Sequence, residues 1–161
     1  MEKIELEEKL DNKVLKRFVK HETELIKSSN TFVDFKLREK WEALHYKNIE
    51  LNQKLLFYIA LKITSLSPIN KIFDFIEAEE PTIIIQKHTN KFEAYMLYEL
   101  ETAVFKDENT KAYSYYLSVA NKLSKKFDYE EVEISQVIYN PFHFSNKVLV
   151  SDKRYELKEL E

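Results

Sequence analysis

The chain has 161 residues, a net charge of −3 and 44% hydrophobic residues, and it contains neither glycine nor cysteine. This length and apolar content predict one domain with a substantial core. The lack of glycine excludes glycine-rich phosphate loops, dinucleotide fingerprints and G-x-S-x-G nucleophile elbows. The lack of cysteine excludes disulfides, thiolate metal sites and a cysteine nucleophile. We therefore expect no cofactor and no bound metal.

The basic residues are almost all lysine, because only three of the 25 lysines and arginines are arginine. This bias is typical of AT-rich genomes, including those of phages and plasmids. The acidic N-terminus differs from a targeting signal, and no apolar run approaches the ~20 residues that cross a bilayer. These observations predict a cytoplasmic protein without membrane contact.

The first segment, Ile4 to Lys27, has helical periodicity, with Val14 and Phe18 on its main apolar stripe and Leu15 beside it. Residues 31–65 predict a second, much longer helix of roughly 50 Å, at 1.5 Å per residue. Its apolar residues recur at alternating spacings of four and three, which is a heptad pattern with one polar member. The members of this seam are Leu37, Trp41, Leu44, Asn48, Leu51, Leu55 and Tyr58.

The remaining segments predict three further helices, one short strand and a terminal hairpin. Pro68 suits the first turn of a helix, and residues 90–106 and 111–127 each have one apolar face. The β-branched and apolar residues 82–87 predict a strand, with a short buried helix as the alternative. From position 131 the period becomes two, and Asn140-Pro141 indicates a turn before a returning strand that includes residues 142–144 and 148–150.

The sequence thus predicts an α+β fold that is predominantly helical. Four to five helices would surround the long helix at about 31–65, with a C-terminal β-hairpin. An all-α bundle is the alternative. We expect one helix-rich domain over residues 1–152, followed by a charged, mobile tail at 153–161.

No group of titratable residues converges by spacing, so we expect no catalytic activity. Arg38 and His45 resemble, at its outer edge, the R-x4–6-H spacing of the helical HEPN ribonucleases. Glu39 would place a repelling carboxylate beside phosphate at such a site. A metal-independent ribonuclease is nevertheless the first activity to consider if the chain is an enzyme.

Lysines and tyrosines are interleaved along the helix predicted near 111–127. This arrangement is used by platforms for single-stranded nucleic acid. Tyr113 is the one tyrosine of the cluster expected to be free to stack. The nucleic-acid alternative therefore rests on Lys111, Tyr113, Lys122, Lys125 and Lys126.

The favoured function at this level is a small protein–protein interaction or self-assembly module. The evidence for this function is the apolar seam on a long helix. That seam would form the contact between copies in a homo-oligomer or the contact with another protein. The interface residues would be Leu37, Leu44, Asn48, Leu51 and Leu55. Nucleic-acid binding is the second hypothesis, and a phage- or plasmid-encoded inhibitor or immunity factor is the third.

Overall fold

A computed structural model of the chain describes residues 1–21, 40–41, 46–48, 53–69, 78–135 and 138–161. These residues form a predominantly antiparallel sheet with helices against its faces. A 3₁₀ turn at Leu6–Glu8 precedes the first helix. The strands are β1 Glu2–Ile4, β2 Lys40–Trp41, β3 Tyr46–Asn48, β4 Gln53–Thr64, β5 Ile83–Lys87, β6 Glu93–Phe105, β7 Glu131–Ile134, β8 Ile138–Tyr139 and β9 Asn146–Val150. The helices are α1 Lys13–His21, α2 Lys111–Ser124 and α3 Leu157–Leu160.

The main sheet has the strand order β1-β9-β5-β6-β4-β3, and all of these pairs are antiparallel. β7 pairs with the same edge of β4 as β3, at the other end of that strand. β2 and β8 form a separate two-stranded sheet. The long strands β4 and β6 are therefore central and pair with each other, and each also pairs with the strand that directly precedes it in sequence, β3 or β5.

Central strands are covered on both faces, and this explains their apolar sequences. In β5 the side chains of Ile83 and Ile85 enter one core cluster, while Ile84 enters the other. α1 covers the first face through Val14, Leu15 and Phe18. α2 covers the second face, and its buried residues are Tyr113, Tyr116, Val119, Ala120 and Leu123.

The predicted long helix at 31–65 is wrong, because its described parts are strands. Asn48 ends β3 and pairs with Gln53, and Leu55 in β4 lies between Tyr46 and Phe105. Of the seven seam residues, Asn48 lies in β3 whereas Leu55 and Tyr58 lie in β4, so the alternating spacing ran across separate strands and not along one helix. The predicted seam interface loses its basis, and Leu37, Leu44 and Leu51 lie outside the described residues, as does the side chain of Trp41.

The predominantly helical fold and its all-α alternative are contradicted in other places as well. Residues 93–105, predicted as a helix, form β6. The predicted first helix begins at Lys13 and not at Ile4, and residues 22–27 of that prediction lie outside the described residues. The C-terminal hairpin is wrong too, because β7 pairs with β4 whereas β9 pairs with β1 and β5. The strand over 82–87 and the helix over 111–127 are confirmed as β5 and α2.

The C-terminal residues, predicted to form a mobile tail, pack against the domain instead. Tyr155 is buried and bridges Leu100, and Leu160 in α3 is fully buried in the core cluster that contains α2. Lys126 of the α2 end donates to the carbonyl oxygens of Leu160 and Glu161 at 3.2 and 2.8 Å. In the part of the chain that the structure describes, no helix is long and apolar enough to span a membrane.

Candidate functional site

The connection from β8 to β9, which we call the 140–146 turn, is built without glycine. Side chains supply the hydrogen bonds that hold its backbone. Asn140 Oδ1 accepts from the amide of Phe142 at 3.0 Å, and Asn146 Nδ2 donates to the Asn140 carbonyl at 2.7 Å. Both asparagines are buried. Asx turns of this kind replace the conformational freedom that glycine gives elsewhere.

Lys9 lies beneath this turn and connects it to the N-terminal segment. Its Nζ donates to the carbonyl oxygens of His143 and Asn146 at 3.1 and 2.8 Å. The residue is only 3% exposed, and this burial lowers the pKa of the Lys9 ammonium to about 8. Desolvation is the cause, because water no longer stabilises the charged form.

An aromatic pair forms the outer part of the turn. The rings of His143 and Phe144 are stacked, with centroids 4.6 Å apart and planes 25° apart. His143 is buried, whereas Phe144 is 66% exposed. The Ser145 amide donates to His143 Nδ1 at 3.2 Å, which fixes the orientation of the imidazole. The His143 ring is therefore held in place by the turn, whereas the Phe144 ring stacked on it is exposed to the solvent.

Positive charge surrounds the turn, and we call Lys3, Lys9, His88 and Lys147 the basic cluster. The His88 amide donates to the Ser145 carbonyl at 2.9 Å, so β5 ends against the turn. Burial lowers the pKa of His88, and the charges of the three lysines lower it further. Glu5 acts in the opposite direction. The lowered pKa favours the neutral form of His88, so the positive charge of the basic cluster comes from its three lysines.

A second set of polar side chains is centred on Tyr139 of β8, the residue that directly precedes the 140–146 turn. The Tyr139 hydroxyl donates to Glu93 Oε2 at 2.8 Å, and Lys62 lies 3.7 Å from the same carboxylate. Lys87 Nζ lies 4.9 Å from the centre of the Tyr139 ring. Burial, followed by the hydrogen bond to Glu93, raises the pKa of Tyr139.

The residues of the predicted nucleic-acid platform on α2 lie apart from the 140–146 turn. Tyr113, expected to be free for stacking, is buried and stacked on Tyr116 at 6.0 Å. Lys122 pairs with Glu161 at 3.1 Å, and Lys126 holds the C-terminal carbonyls. Lys111 and Lys125 are exposed. Two of the five residues, Lys122 and Lys126, therefore connect the C-terminal end of α2 to that of α3.

The described residues contain no group of three or more metal-ligating side chains. Arg38 and His45, which resemble the ribonuclease spacing, lie outside the described residues. Sequence reasoning located the Asn140-Pro141 turn but placed His143 and Phe144 in a strand. It gave no sign of Lys9, since that lysine lies more than 130 residues from its acceptors.

The protein is thus a domain built on an antiparallel sheet with helices on its faces, and the 140–146 turn gives it a basic and aromatic surface. Residues 20–161 match the Replicase family. Because this match covers most of the chain, the protein belongs to that family. Neither the curated proteins nor the solved structures contain a match to this chain.

Family membership indicates a function related to replication, and it overturns the expectation of a generic interaction module without activity.

Proposed function

We propose that the protein acts in replication by holding a nucleic-acid strand against the 140–146 turn. The observation that carries this proposal is the exposed Phe144 ring, stacked on His143 in a turn whose backbone is hydrogen-bonded to Lys9 and to the His88 amide of the basic cluster. A solvated aromatic face and several cations within one small surface are the two elements that strand-binding proteins combine. Family membership supports nucleic acid as the partner.

The ligand favoured by this geometry is a single strand. A base can stack on Phe144 only if its own face is free, and bases within a duplex are already stacked. Lys3 and Lys147 lie in strands β1 and β9, which pair with each other, so their ammonium groups can meet consecutive phosphates. Glu5 reduces the local field, so we expect binding that is moderate and sensitive to salt.

The test is a titration of a labelled oligothymidine single strand, followed by fluorescence anisotropy. Phe144→Ala should weaken binding about tenfold, in line with ~1–3 kcal/mol per stacked base. Lys147→Glu should weaken it and make the salt dependence shallower, because one phosphate contact is lost. With about three phosphates neutralised, the slope of log affinity against log salt should be about −2.

Two matched controls carry the same substitutions elsewhere. Phe105→Ala removes a partly exposed ring at the far end of β6, and Lys125→Glu reverses an exposed charge just after α2. Both should leave the affinity unchanged. Equal losses in test and control variants would show that the 140–146 turn is not the binding surface, and the absence of any binding by the unmodified protein would refute the proposal.

A further inference from the structure

Lys9 lies in the N-terminal segment that precedes the region matched to the family, yet it supplies a cation to the 140–146 turn. We propose that Lys9 is a positioning residue for nucleic-acid binding. Its ammonium ties the carbonyls of His143 and Asn146 together, and its charge attracts a phosphate that lies over the turn. This inference rests on the proposed function and adds a residue to it.

The geometry gives Lys9 both of these roles. Its two acceptors lie on either side of Phe144 and Ser145, so the two hydrogen bonds fix the ends of the segment that presents the exposed ring. The acceptors are neutral carbonyls. In the described part of the chain, no carboxylate lies within ion-pair distance of Lys9 Nζ, so its charge is not neutralised there.

Lys9 shares the basic cluster with charged and titratable groups from several elements. Lys3 of β1, Lys9 and Lys147 of β9 all act on His88, which follows β5, and Glu5 acts on His88 with the opposite sign. His143 belongs to the turn itself, and its carbonyl oxygen accepts from Lys9. Because the three lysines carry the same positive charge, an incoming phosphate would be attracted to the cluster.

Proton linkage follows from this arrangement. A phosphate beside the turn stabilises the charged form of Lys9, so the pKa of that ammonium should rise when nucleic acid binds. Binding then takes up a proton as the pH passes through the pKa of the free protein, about 8. The affinity of the unmodified protein should therefore fall as the pH rises from about 7 to about 9.5.

The experiment compares oligothymidine binding by the unmodified protein, Lys9→Met, Lys9→Arg and Lys16→Met across this pH range. Lys9→Met keeps the apolar stem and should bind about tenfold more weakly at pH 7, as expected for loss of a charged contact. Its affinity should also depend less on pH. Lys9→Arg keeps the charge throughout and should restore part of the affinity, with a flat profile. Lys16→Met removes an exposed lysine of α1 and should behave like the unmodified protein.

A second measurement detects the positioning role without any ligand. Hydrogen exchange of the turn amides should become faster in Lys9→Met, because the amides of His143 and Asn146 bond within the turn that Lys9 holds. Exchange in β6 should stay unchanged, which shows that the fold is intact. Unaltered turn exchange together with an unaltered pH profile in Lys9→Met would overturn the inference. Loss of binding in Phe144→Ala would still stand, so the two proposals can fail separately.

Discussion

Arg17 forms an ion pair with the carboxylate of Glu99, although the two residues are 82 positions apart in the chain. The guanidinium Nε lies 3.1 Å from both carboxylate oxygens, and Nη2 lies 3.0 Å from Oε1. Glu99 is 1% exposed, and its amide donates to the Thr82 hydroxyl at 2.9 Å. The hydrogen bond to Glu99 raises the pKa of Arg17. This pair ties α1 to the middle of β6 and allows a charged group to lie against the sheet.

Replacing Arg17 with methionine should lower the free energy of unfolding by about 3–5 kcal/mol, because it removes the guanidinium that is hydrogen-bonded to the buried Glu99 carboxylate. Urea denaturation measures this change. Lys13→Met is the control, since Lys13 pairs with Asp152 at the surface and is 72% exposed. That control should cost at most about 1 kcal/mol. Equal losses of unfolding free energy in the two variants would show that the Arg17–Glu99 pair stabilises the protein no more than an exposed ion pair does.

Leu61 is fully buried in β4, whereas Leu66 follows the same strand and is 83% exposed. Leu61→Ala should destabilise the protein by about 2–5 kcal/mol through lost burial and the cavity that remains. Leu66→Ala should change stability by less than about 0.5 kcal/mol. Thermal or chemical denaturation of both variants tests whether β4 is central to the core. A small effect at Leu61 would contradict its position in the sheet.

Thr110 caps the N-terminus of α2, and its hydroxyl oxygen accepts from the Tyr113 amide at 3.3 Å. Thr110→Ala should cost about 0.5–2 kcal/mol, because one of the free amides of the first turn loses its partner. Thr110→Ser keeps the hydroxyl and should retain most of the stability. The comparison isolates the cap, and an equal loss in the two variants would attribute the effect to the methyl group instead.

Lys9 should also make stability depend on pH. Its pKa is lowered from 10.5 to about 8 in the folded state, so between these values the unfolded chain binds more protons than the folded one. Stability relative to Lys9→Met should therefore rise as the pH increases from about 8 to about 10.5, and should be level below that window. Buried tyrosines lower stability above about pH 10, but they do so in both proteins and cancel in the difference. Parallel curves would contradict the assignment.

The helix α2 was predictable because its apolar residues lie on one side. β5 was predictable because its residues are β-branched, although a short buried helix also fitted that apolar run. β4 and β6 are covered on both faces, and most of their residues are apolar, which fits a helix as well as a strand. Aromatic and β-branched residues such as Tyr58, Ile59 and Ile63 in β4 were the signal that favoured a strand.

The site was predictable only in part, for a related reason. Asn140-Pro141 marks a turn from local chemistry, and its position was found. The stacking of Phe144 on His143 depends on the path of the turn, which is fixed by hydrogen bonds from distant residues. No local pattern connects Lys9 with His143, because that contact exists only after the whole sheet has formed.

The hydrogen bonds from Lys9 to the turn join residues 134 and 137 positions apart. A contact of such sequence separation forms after shorter loops have closed, and it slows folding. During synthesis, Lys9 leaves the ribosome long before its acceptors have been made. A nascent chain therefore cannot present the finished turn. The surface proposed to meet nucleic acid therefore forms only after residues 143–146 have been synthesised, so translation itself sets the earliest moment at which this surface can act.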